Sequence, residues 1–385
     1  MHTIALAALA LTLILPNVSS ATIVKIGFVN SITGPEAPIG ENLINGVALA
    51  LEDLKMKGLN VELIIKDDAG NPKQSVAAFE RLVTRDGVAA IVGPYSSKCA
   101  NTLTRLAEKH KVPLLIPVAS KDEITRQNQK WTFRLSATTY DYAAILIDMA
   151  AKLGKPKSMA ILNENTEFGT SAAKSAKEYA ARKGITVVAH EAYAPGFSDY
   201  RPTLARIKSL KPDLVFMASY VTDAILLMRQ AREAGVTPQA FLGAGAGFAT
   251  VAFAREVGIS NNVFSSTQWT GDVTWPGARA FNKRYIARFG KAPTYHAATA
   301  YESVMIMAET AAKTGGNPDK IRADLKSGQW NGIMGEVKFS DFEGYTNQNK
   351  HQMLVEQVQD GVYQTVYPPK YATSRPVYPF PGWKR

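Results

Sequence analysis

The chain has 385 residues, 46% of them hydrophobic and 20% charged, which allows a large buried core and about two domains. No low-complexity tract, like-charge block or collagen-like period occurs, so disordered and fibrous classes are excluded. The net charge of +11 comes from Lys and Arg scattered among acids, with no basic run and no RNA-binding signature. It describes a solvated surface rather than a nucleic-acid partner, and at most it favours anionic solutes.

Residues 4–15 are almost uninterrupted apolar sequence, followed by Pro16, Asn17 and the small residues Ser19, Ser20 and Ala21. This is the pattern of a signal-peptide hydrophobic region and cleavage site, although its leading segment holds only His2 and no Lys or Arg. The run is too short for a bilayer core of about 30 Å. Residues 1–21 are therefore expected to be a signal peptide cleaved near Ala21. No cysteine stands there to carry a lipid, so a free periplasmic protein is expected. Cys99 is the sole cysteine, which excludes an intramolecular disulfide.

Runs at 23–29, 61–65, 88–92 and 112–116 are rich in β-branched residues and bounded by Gly, Pro, Asn or Asp, so they predict buried parallel strands. Ile39, Leu43, Val47, Leu51 and Leu54 mark one helical apolar stripe between them, and Val76, Phe79, Leu82 and Val83 another. After 131–134 the alternation restarts, with predicted strands at 158–162, 185–189, 214–217 and 240–243 and a helix carrying Ala224, Leu227, Met228 and Ala231. Helical segments at 278–289 and 296–310 precede strand-like runs at 335–339 and 353–358. The tail 367–385, dense in Pro and Tyr, is expected as extended chain on the surface or frayed. Two open α/β lobes follow.

Ligands of open parallel sheets sit beyond the carboxyl ends of strands, where loops lead into helix N-termini with free N–H groups. Gly93-Pro94-Tyr95-Ser96-Ser97 leaves one such strand and Pro117-Val118-Ala119-Ser120 leaves the next. Their hydroxyls and N–H groups suit a carboxylate. The alternative is local capping, by Ser96 or Ser97 in the first loop and by a Ser120–Glu123 capping box in the second.

Ile32-Thr33-Gly34-Pro35 with Gly40, Asp67-Asp68-Ala69-Gly70-Asn71-Pro72, Gly93-Pro94-Tyr95-Ser96-Ser97 and the run from Leu227 to Gly235 together resemble the branched-chain amino-acid-binding family of type I periplasmic binding proteins. Order and spacing agree across nearly the whole mature chain. The resemblance implies an α/β Venus flytrap of two Rossmann-like lobes joined by three hinge crossovers. The lobes would be 22–136 with 269–350 and 137–268 with 351–385. It also implies a monomeric partner of an ABC-transporter permease that captures a small solute. By the same resemblance Ser97 and Ser120 hold the ligand carboxylate with help from the Val118 backbone, and Tyr220 lines the other lobe beside Phe168. Tyr95 and Ile39 complete the lining on the first lobe.

Gly245 breaks the pattern, because amino-acid binders of the family carry there an acid that neutralises the ligand's ammonium. Either Asp272, Asp223 or Glu167 replaces it, or the ligand lacks an amino group. Trp269, Tyr295 and His296 are further candidates for stacking or hydrogen bonding.

Enzyme readings find little support. The loop Gly243-Ala244-Gly245-Ala246-Gly247 follows a predicted strand, but Phe248 stands where a dinucleotide fingerprint needs glycine. No phosphate loop, zinc motif or nucleophile elbow occurs, and the five histidines lack metal-ligand spacing. Neither cofactor nor metal is expected. A soluble ligand sensor of the same fold remains the alternative to an importer component.

Overall fold

The computed structural model describes residues 23–383; the expected signal segment lies outside the described residues. Two seven-stranded sheets dominate. From edge to edge the first runs Phe339–Phe342, Tyr345–Asn349, Thr132–Arg134, Leu114–Ile116, Ala90–Val92, Val24–Asn30 and Val61–Asp67. The second runs Val362–Tyr367, Leu354–Gln359, Phe264–Thr267, Ala240–Gly243, Leu214–Ala218, Ser158–Glu164 and Thr186–Tyr193. In each, the five strands earliest in sequence pair in parallel; in the first sheet Tyr345–Asn349 adds a further parallel strand with Phe339–Phe342 antiparallel to it, whereas in the second Leu354–Gln359 and Val362–Tyr367 form an antiparallel margin. The two lobes thus share the order of their five parallel strands.

Side-chain alternation explains why both faces of each sheet carry helices. In the first sheet Phe28, Val92, Leu115 and Phe133 face the helices Ala37–Met56 and Tyr295–Lys313. Their neighbours Val29, Ile91, Leu114 and Ile116 face the helices Pro72–Arg81 and Ser97–His110. Strands buried on both faces must be apolar throughout, which is why they were visible as continuous runs. At the tightest helix crossing Gly46 meets Ala297, where a Cβ would stand 2.2 Å from the Ala297 carbonyl oxygen. In the second lobe Phe216, Leu242 and Phe264 pack under the helices Thr139–Gly154 and Glu167–Arg182, while Val215, Met217 and Phe241 pack under Arg201–Leu210 and Val221–Ala234.

The chain passes between the sheets after Arg134, after Thr267 and after Asn349. Gln268 ties two of these passages together: its Oε1 accepts from Ala137 N–H at 2.8 Å and its Nε2 donates to the Tyr142 hydroxyl at 2.6 Å. Its carbonyl also lies 2.6 Å from His351 Nε2, on the third passage.

Three expectations need correction. The strand-like run 335–339 is split at Lys338: Gly335–Val337 pairs with Trp330–Gly332 in a separate ribbon, and only Phe339–Phe342 joins the first sheet. The expected Ser120–Glu123 capping box does not form; Lys121 is the N-cap of the single turn Asp122–Thr125, without a side-chain cap. Nor does Ser96 cap the helix Ser97–His110 through its hydroxyl, which is buried without a partner. The tail is tied down: Phe380 and Trp383 lie 5.2 Å and 5.5 Å from the Phe241 ring, and Trp383 Nε1 donates to Val236 O at 2.8 Å.

Candidate functional site

In a sheet of this strand order the crevice opens where the direction of winding reverses. In the first lobe that point lies beyond Asn30 and Val92, and in the second beyond Glu164 and Ala218. The two crevices face each other. Between them lies a small cavity lined by Tyr95, Ser97, Val118, Ala119, Ser120, Phe168, Tyr220, Ala246 and Tyr295.

Each loop reaches the cavity for a local reason. Gly93 has φ +131°, and a Cβ there would stand 1.9 Å from Val29 O, so only glycine lets the Tyr95–Ser97 loop cross so close to the neighbouring strand. Ser97 then opens a 14-residue helix whose first N–H groups lack intrahelical acceptors. Ser97 Oγ accepts from Lys121 N–H at 3.3 Å, and Ser120 O accepts from Thr139 N–H at 2.8 Å. Arg134 holds this second loop from below: fully buried, it donates to Lys121 O at 2.6 Å, Thr125 Oγ1 at 2.7 Å and Gln348 Oε1 at 2.6 Å. Burial pulls its guanidinium down to about 10, still charged at neutral pH.

Across the cavity, Tyr220 precedes the helix Val221–Ala234, and its N–H donates to Glu164 Oε1. Gly247 passes against it, where a Cβ would stand 2.4 Å from Tyr220 C. Aromatic rings form the walls: Tyr220 lies 6.0 Å from Tyr95 and 5.7 Å from Phe168, and Tyr295 stacks on His296 at 3.9 Å. Burial holds the Tyr95, Tyr220 and Tyr295 hydroxyls well above their ordinary range, so they are neutral donors. Glu164 is also raised, by burial first and by nearby Asp223.

The lobes are in contact around this cavity. Lys121 pairs with Glu167 at 2.7 Å, Lys174 with Glu123 at 3.3 Å, and Asp122 N–H donates to Ser171 Oγ at 3.0 Å. These bonds exist only while the lobes are together.

Of the residues expected at a ligand, Ser97, Val118, Ser120, Tyr220, Phe168 and Tyr95 are brought to one cavity. Ile39 is not: it is buried in the core of the first lobe. Gly245 sits just behind the lining, at φ +58°, with a Cβ position 3.1 Å from Tyr142 and 3.2 Å from Ser266 O. Its neighbour Ala246 reaches the cavity instead, and Ala246 N–H donates to the Tyr295 hydroxyl at 3.2 Å. Ala119 and Ala246 had no sequence signal beyond their position in loops already singled out. None of the proposed substitute acids lines the cavity. Asp272 accepts from Thr365 Oγ1 at 2.7 Å, Asp223 from Gly196 N–H at 2.9 Å, and Glu167 is spent on Lys121. Trp269 and His296 are buried outside the lining.

The glycine-rich loop cannot cradle a pyrophosphate in the dinucleotide manner. It leads into the short turn Ala246–Ala249 rather than a long helix, and the buried Phe248 ring packs on Gly243, filling the space.

A sequence model described as periplasmic binding protein matches residues 23–362. The chain belongs to this family. A Leu/Ile/Val-binding protein homolog 8 of Brucella abortus (strain 2308) is 31% identical over 376 residues, covering 91% of this chain and 92% of the relative. Among solved structures, a leucine-binding protein LivK from Thermotoga maritima superposes with a TM-score of 0.81 at 22% identity, covering 90% of this chain and 98% of the other. An ABC-transporter solute-binding protein from R. palustris, in complex with benzoate, superposes with a TM-score of 0.80 at 18% identity, covering 93% and 98%. The two-lobed type I periplasmic binding protein fold is shared with both solved structures, and members of the family are substrate-binding proteins.

Proposed function

We propose that this chain is the exported solute-binding component of an ABC importer, without enzymatic activity of its own, and that its cargo is a small carboxylate lacking an amino group. The observation that carries the cargo class is the composition of the cavity wall. Ser97 and Ser120 supply hydroxyls beside a helix N-terminus, the rings of Tyr95, Phe168, Tyr220 and Tyr295 with Val118, Ala119 and Ala246 form the rest, and no carboxylate lines it. An ammonium enclosed there would meet no carboxylate in the lining, because the buried acids Glu36 and Glu164 act on Tyr95 and Tyr220 from outside it, and an unpaired buried charge costs several kcal/mol. A carboxylate is met by Ser97 and Ser120 and favoured by the helix dipole. With the lobes in contact the cavity is small and walled mainly by rings and short side chains, which favours a compact cargo. The benzoate-bound fold neighbour supports this reading in showing that the architecture takes a ring acid.

In this account the solute docks on the lobe carrying Ser97 and Ser120. Closure then brings Tyr220, Phe168 and Ala246 over it and forms the Lys121–Glu167 and Lys174–Glu123 pairs. Because only the closed state makes both sets of contacts, the ligand shifts the population toward it. The closed monomer is the form presented to a membrane permease. Residues 1–21 act as the export signal and are removed near Ala21.

A thermal-shift panel tests the proposal, with benzoate, phenylacetate and isovalerate set against leucine, isoleucine and valine. A true ligand at about 100 times its Kd adds about 2.7 kcal/mol to the native state. Stabilisation by at least one amine-free acid is expected. Stabilisation confined to the amino acids would refute the cargo class, and turnover of any panel member would refute the binding role.

A further inference from the structure

A second concavity lies away from the ligand cavity, beside the passage of chain that follows Thr267. Its walls come from both lobes: Asn282 and Ile286 of the helix Ala278–Phe289 and Pro293 on one side, Val251, Val362 and Tyr363 on the other. It encloses about 1190 Å³, part of it open to solvent. Trp269 and Glu356 form the deep end.

Glu356 is on the strand Leu354–Gln359 and only 6% exposed. Among the described residues no hydrogen bond or ion pair reaches its carboxyl group. The groups that face it offer no compensating charge. Asp272 is a second acid, already bonded to the hydroxyls of Thr365 and Thr373. The Tyr363 hydroxyl donates to the Phe248 and Thr250 carbonyls, and the Tyr295 hydroxyl is turned toward the other cavity, where it accepts from Ala246. Arg255 lies at the exposed rim and forms no ion pair among the described residues. Beside Glu356, Trp269 is 1% exposed and its indole N–H is buried without an acceptor. The buried Trp269 donor without an acceptor is unfavourable as it stands, and the Glu356 carboxyl, without a cation, opens onto the groove. Above them the wall is apolar, with Ile286 43% and Val362 58% exposed.

We propose that this groove is a second binding site, for a small organic monoammonium ion with an apolar body, whose charged end sits on Glu356. The apolar body lies between Ile286 and Val362, the face of an aromatic ring on it serves as a weak acceptor for the Trp269 indole N–H, and Arg255 at the rim disfavours a second positive charge. Burial and Asp272 hold the Glu356 carboxyl well above its ordinary range, so the empty site is neutral and protonated. Binding of the ammonium ionises it: the carboxyl proton passes to the buffer and the ion pair replaces it, so affinity increases with pH until the amine itself loses its proton.

The test uses the mature protein with phenethylamine as the probe and phenethyl alcohol as its uncharged counterpart. Binding is read by tryptophan fluorescence and by calorimetry in two buffers of different ionisation enthalpy. Saturable binding of the amine, at least tenfold tighter than the alcohol and accompanied by proton release, is expected. Glu356→Gln should weaken it tenfold or more. Ile286→Trp, on an exposed helix face where folding is undisturbed, should do the same by filling the groove. Tyr220→Ala, in the other cavity, should leave it unchanged. Non-saturable binding, equal affinity for amine and alcohol, or unaltered affinity in both groove variants would overturn the proposal. Loss of binding in Tyr220→Ala alone would also overturn it, by placing the amine in the ligand cavity.

Discussion

Replacing Ser97 by Ala removes one hydroxyl from the carboxylate end of the cavity and, with it, the acceptor of one long loop hydrogen bond. Ser97 is 3% exposed, so no water can substitute freely, and its Oγ is also the acceptor for Lys121 N–H at 3.3 Å. A hydrogen bond to a charged group contributes about 1.5–3 kcal/mol net. The N–H groups at the helix start are backbone and survive the change, and they continue to favour an anion by about 0.3–2 kcal/mol. The variant is therefore expected to bind its acid roughly 10- to 150-fold more weakly, without losing it altogether. Titration calorimetry with the best acid of the panel, on wild type and Ser97→Ala with matching circular dichroism, measures this. An affinity within twofold of wild type would show that the carboxylate does not lie at Ser97.

Gly46→Ala should destabilise the first lobe by about 1–3 kcal/mol through overpacking, since the added methyl meets the Ala297 carbonyl rather than a movable side chain. A melting temperature equal to or above that of wild type would count against the helix crossing described. The pH dependence of stability has a specific source in Glu302, whose carboxyl is pushed up to about 7 by burial while its Oε2 accepts from Ile333 N–H at 3.0 Å. The folded chain keeps a proton that the unfolded chain has released, so stability falls as pH rises from about 4.5 through about 7, by on the order of 3 kcal/mol. Glu302→Gln should flatten that part of the urea-unfolding profile, because an amide can still accept from Ile333 and carries no proton to lose. An unchanged slope would remove Glu302 from the account.

The parallel strands were legible because burial on both faces makes them continuous apolar runs. Phe264–Thr267 was not: three of its four residues are Ser or Thr, yet all are buried between neighbouring strands, where the ladder rather than side-chain hydrophobicity holds them. The margins were obscured for a different reason. Strands such as Tyr345–Asn349 carry polar residues whose amides bond across the lobe, as Asn347 Nδ2 does to Thr132 O at 3.1 Å. At the cavity, Ser97 and Ser120 could be read from their places after adjacent strands, and Tyr220 and Phe168 from the family resemblance. Ile39 packs in the same core as Tyr95 and Val118 but does not reach the lining. Tyr295, one of three further aromatic or histidine candidates in the sequence, enters the lining from more than 170 residues beyond Ser120, while Trp269 and His296 do not.

The central claim is that the cleft accepts a carboxylate and has no provision for an ammonium. Leucine and isocaproate differ only in that group, so calorimetric titration of both, with benzoate alongside, isolates it. The structure predicts measurable binding of isocaproate or benzoate and none of leucine under the same conditions. Micromolar binding of leucine with no heat from either acid would contradict it.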